Sequence, residues 1–143
     1  MEVVLAKAKV VWVENKQFLG IDSSNHSVVL STQDEDNGVG VKPSDMLLVA
    51  LGSCTAVDVV TILKKKRMPL TSMTIQVTAE QEKDPPWTFK SIHMHFQVAG
   101  KNLTQEDVHK AIELSESKYC SVAASLQETV EITTSLEIVA NQD

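Results

Sequence analysis

Polar and apolar positions change their spacing several times along the chain, and each change predicts an element. From Val3 to Val13 the sequence is rich in β-branched residues, and Ala6, Ala8, Val10 and Trp12 alternate with Lys7, Lys9, Val11 and Val13. Successive side chains of a strand leave opposite faces, so a period of two predicts a strand. Gln17 to Ile21 and Ser27 to Ser31 are shorter strand-like runs. Between them lies Asp22-Ser23-Ser24-Asn25, whose short polar side chains bond their own backbone and favour a turn. This region predicts a three-stranded meander. From Thr32 to Gly40 the chain is acidic and punctuated by glycine, which predicts a loop.

At Pro43 the spacing lengthens. Proline suits a first helical turn, and Ser44 and Asp45 suit the positive end of a helix dipole. Met46 to Arg67 is the longest helix candidate, and Met68-Pro69 ends it because proline cannot continue a helix. Leu47, Leu51, Cys54 and Asp58 share one stripe; Met46, Ala50, Ser53 and Val57 form the next. A helix apolar nearly all round predicts a buried helix, with only Lys64-Lys65-Lys66-Arg67 solvated. Such a helix needs cover on more than one side. Two small sheets wrap it poorly, and a second copy of the chain is the simple remedy.

The period of two returns from Thr71 to Glu82, with Met73, Ile75, Val77 and Ala79 inward. It returns again from Phe89 to Val98, where Ile92, Met94, Phe96 and Val98 oppose His93, His95 and Gln97. Thr104-Gln105-Glu106-Asp107 resembles a capping box. The helix it opens reaches about Glu116 and carries Val108, Ala111, Ile112 and Ser115 on one face. A short helical stretch, Val122 to Leu126, and a closing strand, Val130 to Val139, complete the order. Six strands with few helices predict an α+β fold in one domain spanning residues 1–143.

Charge narrows the function. Nineteen acids stand against 13 bases, a net charge of −6, whereas a nucleic-acid partner wants clustered Lys and Arg. Met1 to Lys7 has no positive n-region and no long apolar core, so it does not resemble a targeting signal and none is expected. The apolar run Met46 to Leu51 is too short to cross a bilayer. These features predict a cytoplasmic protein without nucleic-acid or membrane partners. In that compartment the two cysteines are fillers, metal ligands or redox groups rather than a permanent staple.

Cys54 lies in Gly52-Ser53-Cys54-Thr55-Ala56, where small neighbours leave room around the sulfur. Its plain reading is a buried filler. Cys120 falls at the expected start of the short helix, where unpaired N–H groups favour a thiolate. Their separation of 66 positions (120 minus 54) is no metal-ligand spacing, so zinc is not expected. His93 and His95 share a strand face without an evident acid partner and read as a polar surface. Tyr119, beside Cys120, reads as core or as a wall of a thiol pocket.

The run from Lys42-Pro43-Ser44-Asp45 to Gly52-Ser53-Cys54-Thr55-Ala56-Val57-Asp58 resembles the signature helix of the OsmC/Ohr family, with its cysteine eleven residues after the proline. Glu116-Ser117-Lys118-Tyr119-Cys120-Ser121-Val122 resembles the family's second cysteine segment, and Lys-Tyr-Cys-Ser-Val is closest to the YhfA-like branch. The resemblance implies two small antiparallel sheets around a long buried central helix, in an intertwined homodimer with two sites at the interface. It implies reduction of organic hydroperoxides without cofactor or metal. Cys54 would attack the O–O bond, Cys120 would resolve the sulfenic acid as a disulfide, and a dithiol would reset the pair. The active branches add an arginine from the N-terminal half and a glutamate just after the proline. Here Ser44 stands at the glutamate's place and Asp45 is the nearest acid. The single arginine, Arg67, lies at the far end of the helix, leaving Lys16 or Lys42 as substitutes. Lysine lacks the planar fork that holds thiolate and carboxylate together. The alternative is therefore a non-catalytic dimer that binds an apolar small molecule or senses redox state.

Overall fold

The computed structural model describes residues 2–140; Met1, the first residue of the run read for a signal, and residues 141–143 lie outside the described residues. The chain divides into two compact units, Met1–Leu47 and Leu48–Asp143.

The first unit is the expected meander: β1 (Ala8–Glu14), β2 (Gln17–Asp22) and β3 (Ser27–Ser31), each antiparallel to the next. Its tight turn works as the sequence suggests. The Asp22 carboxylate accepts the N–H groups of Ser24 at 3.0 Å and His26 at 2.9 Å, and Asn25 takes a left-handed φ of 65°. The loop after β3 folds back on its own sheet. Buried Asn37 donates to the Asp34 carboxylate at 2.6 Å and accepts the Lys16 N–H at 3.3 Å. Gly40 lies against β3 so closely that a Cβ would stand 2.6 Å from the Val29 carbonyl oxygen. Two expectations need correction. The strand begins at Ala8 rather than Val3, and its alternation does not mark a buried face. All seven β1 residues are exposed, Val10 and Trp12 at 67% each, because no second layer of their own unit covers them.

The second unit holds the core. Its sheet has the order β4 (Leu70–Gln81), β5 (Phe89–Gly100), β6 (Glu131–Ile138). The β4–β5 pair is antiparallel, but β5 and β6 run parallel, with Ile92 opposite Ile132 and Val98 opposite Ile138. The expectation of two antiparallel sheets is corrected here: the sheet is mixed. A parallel neighbour needs a long crossover, which α2 (Gln105–Leu114), a π-helical turn (Ser115–Tyr119) and α3 (Ser121–Leu126) supply. As the alternation predicts, Ile92, Met94, Phe96 and Val98 are buried. They join Val108, Ala111 and Ile112 of α2 in one apolar cluster. Thr104 caps α2 by accepting the Asp107 N–H at 3.1 Å. The opposite sheet face carries a polar row. His93 contacts Thr133 and Ser135, His95 contacts Ser135 and Glu137, and Gln97 donates to Glu137.

Helix α1 (Pro43–Lys65) buries Leu51, Thr55, Val59 and Leu63, one side chain per turn, within the same cluster or beside it. Gly52 permits close approach to β4; a Cβ there would stand 3.2 Å from Val77 Cγ2. By length and composition α1 could cross a bilayer, which the short run Met46 to Leu51 understates, yet its buried stripe packs with β5 as an interior helix does. The expected all-round burial is not met within one chain. Val49, Val57 and Val60 are exposed, Val57 at 65%. Arg67 ends the helix at φ 61°, with the Met68 N–H bonded to the Leu63 carbonyl, the αL cap that glycine usually supplies.

Candidate functional site

The second unit brings its two cysteines together. Cys54 is half-buried on α1, Cys120 is 1% exposed, and both are free thiols. Cys120 is the N-cap of α3, as the sequence predicts for the start of a short helix. Its N–H closes the π turn on the Ser115 carbonyl at 2.7 Å. Its sulfur accepts the Ala123 N–H at 3.3 Å and the Thr55 hydroxyl at 3.7 Å. Thr55, fully buried, follows Cys54 in sequence and reaches across to the other sulfur. Cys54 is itself close enough to the Cys120 thiol to perturb it.

The electrostatics depart from the sequence expectation. Burial pushes the Cys120 thiol above its ordinary value, and the adjoining Cys54 thiol pushes the same way. The Ala123 N–H and the Thr55 hydroxyl pull it down but do not win. A helix of six residues has a weak dipole, and desolvation outweighs it. Cys120 therefore holds its proton.

Asp45 is exposed in the first turn of α1, nine residues before Cys54 in sequence. The Lys16 ammonium pairs with Asp34 at 3.0 Å in the N-terminal unit. Lys42 is exposed just before α1, and Arg67 is just beyond its end. Tyr119 is 53% exposed and so not a core residue. With Asp58, Ile62, Lys65 and Leu114 it lines an open groove of about 350 Å³ between α1 and the π turn. Among the described residues, no group of three His, Cys, Asp or Glu side chains is placed to hold a metal. Sequence reading missed Thr55 and Ser115, which meet α1 or the thiols only through the fold; the Cys54–Asp58 stripe was the one available signal.

The comparisons with known proteins bear on the family and the fold. The family model described as OsmC-like protein matches residues 32–135. The protein YhfA of Escherichia coli is 40% identical over 134 residues, covering 94% of this chain and 98% of YhfA. A hypothetical protein from Aquifex aeolicus is 27% identical with a TM-score of 0.85, covering 99% of this chain and all of that one. An organic hydroperoxide resistance protein OsmC from Legionella pneumophila shares the fold at 11% identity, with a TM-score of 0.66 over 96% of this chain and 99% of its own.

Proposed function

Because the chain belongs to the OsmC-like protein family, we propose that it reduces organic hydroperoxides through Cys54 and Cys120, as a cytoplasmic homodimer of one domain per chain. The observation that carries this reading is the meeting of two free thiols 66 residues apart in sequence (120 minus 54), one of them sheltered. The Cys54 thiolate attacks the distal oxygen of the hydroperoxide. The S–O bond forms, the O–O bond breaks, and the alkoxide leaves as the alcohol after taking a proton from solvent. Cys54 is now a sulfenic acid, oxidised by the two electrons the hydroperoxide gained. The Cys120 sulfur then attacks the Cys54 sulfur, forming the disulfide and releasing water. A dithiol reductant reduces the disulfide and is itself oxidised. Burial that holds the proton on Cys120 disfavours it as the thiolate that meets the hydroperoxide, which leaves the first attack to half-buried Cys54.

Asp45 takes the place of the family's glutamate in this reading, with Lys16 or Lys42 in place of its arginine. Support for the dimer comes from the uncovered apolar surface: Val49, Val57 and Val60 on α1, and Val10 and Trp12 on β1. Large apolar patches left bare on a protein mark interaction sites. The test is to add cumene hydroperoxide to the reduced protein and count thiols. One equivalent should consume both thiols and leave a Cys54–Cys120 disulfide, and Cys54→Ser should abolish the reaction. Thiols that persist until oxidant is in gross excess overturn the reading.

One observation favours the alternative, a non-catalytic dimer that binds a small molecule or senses redox state. The single arginine ends α1, two residues past Lys65. A ligand retained through purification and seen by native mass spectrometry supports that reading; rapid turnover with a dithiol excludes it as the main role.

A further inference from the structure

Helix α1 carries one acid between its first turn and its lysine-rich end, Asp58. An acid in so apolar a helix needs a partner. The partner is Ser115, fully buried, whose hydroxyl donates to Asp58 Oδ2 at 2.7 Å. Asp58 stands one helical turn after Cys54, so the two share a face of α1. Ser115 opens the π turn, and its carbonyl accepts the Cys120 N–H at 2.7 Å. A continuous link thus runs from the helix that carries Cys54, through Asp58 and Ser115, to the backbone of Cys120. The π turn is the irregular step in that link. Such turns survive where their surroundings hold them, and this one delivers Cys120 to α3.

We propose that Asp58 and Ser115 are positioning residues that fix the π turn against α1 and so set the approach of the Cys120 sulfur to Cys54. Disulfide geometry is narrow, with Cα atoms within about 7 Å and a restricted torsion, so a small slip of the turn costs much of the pair's effective concentration. Thr55 and Ala123 then hold the sulfur itself. The proposal rests on the pair's joining as a disulfide, which the proposed function also uses, but not on a hydroperoxide.

The test therefore uses glutathione. Oxidised glutathione takes two electrons from the two thiols, forming the Cys54–Cys120 bond and releasing two reduced glutathiones. Full-length protein is equilibrated over a series of oxidised-to-reduced ratios, and the disulfide fraction is read by mass spectrometry. Ser115→Ala and Asp58→Ala should each lower the effective concentration about tenfold, the scale of one short hydrogen bond to a carboxylate. Asp58→Asn, which keeps an oxygen acceptor for Ser115, should stay within about threefold of the parent. Far-UV circular dichroism checks the fold, and Asp58 is half-buried, so its two variants carry the test if Ser115→Ala does not fold. Asp58→Ala matching the parent, Asp58→Asn failing as badly as Asp58→Ala, or no disulfide in the parent at any ratio overturns the proposal. A parent that forms the disulfide with glutathione yet ignores cumene hydroperoxide overturns only the peroxidase reading.

Discussion

The two three-stranded sheets are written in the same period of two and meet different fates. In β5 every second residue, Ile92 through Val98, is sealed beneath α1 and α2. In β1 the same alternation leaves every residue in solvent. Alternation states a demand for cover and does not name the source. The C-terminal sheet is covered by its own chain. The residues of β1 and the Val57 face of α1 stay exposed, and a second subunit is the proposed source of their cover.

The sharpest break of that contrast is Phe96→Ala, which should cost about 3–5 kcal/mol in denaturant unfolding at any protein concentration, because its cover is intramolecular. Val57→Asp should raise the dimer dissociation constant roughly a hundredfold, through an unpaired charge in an apolar interface, and sedimentation velocity should show the shift to monomer. Trp12→Ala should destabilise only where protein concentration keeps the dimer together. Dilution that leaves its penalty unchanged would mean that β1 draws its cover from its own chain.

Smaller effects separate the two thiols and one acid. A maleimide should modify Cys54 at least about tenfold faster than Cys120 at neutral pH, since Cys120 is buried and burial holds the proton on its sulfur. Thr55→Val should slow Cys120 further by removing a group that stabilises its thiolate. Glu116 keeps one oxygen buried without a hydrogen-bond partner, and burial raises its carboxyl above the ordinary range. The folded protein then binds more protons than the unfolded one, so stability falls as pH rises from the ordinary carboxyl range through the raised one. Glu116→Gln should therefore raise Tm slightly at pH 7 and leave it unchanged at pH 3, as scanning calorimetry will read.

Much of the fold was legible because it is local. The stripe Val108, Ala111, Ile112, Ser115 is buried as its spacing predicts, and Cys120 opens α3 where a helix start was expected. What escaped was set by partners distant in sequence. The crossover made β6 parallel, and no pattern within Val130 to Val139 encodes direction. Thr55 looks like any small helix residue until its hydroxyl meets a sulfur 65 residues on. The helix-start argument for a Cys120 thiolate failed because burial, a tertiary quantity, outweighed a local dipole.

The polar row on the outer face of β5 and β6 has a direction of its own. Glu137 accepts only, so a neutral His95 must present its Nε2 proton there, at 3.2 Å, leaving Nδ1 bare. The single Ser135 proton then points to that Nδ1, 2.7 Å away, and the serine oxygen must receive the Nε2 proton of His93 at 2.8 Å. His93 Nδ1, bare in turn, takes the hydroxyl proton of Thr133 at 2.7 Å. With both imidazoles neutral, one carboxylate at the end of a strand thus dictates the tautomer of each and the rotor of two hydroxyls, all facing the same way like a row of compass needles.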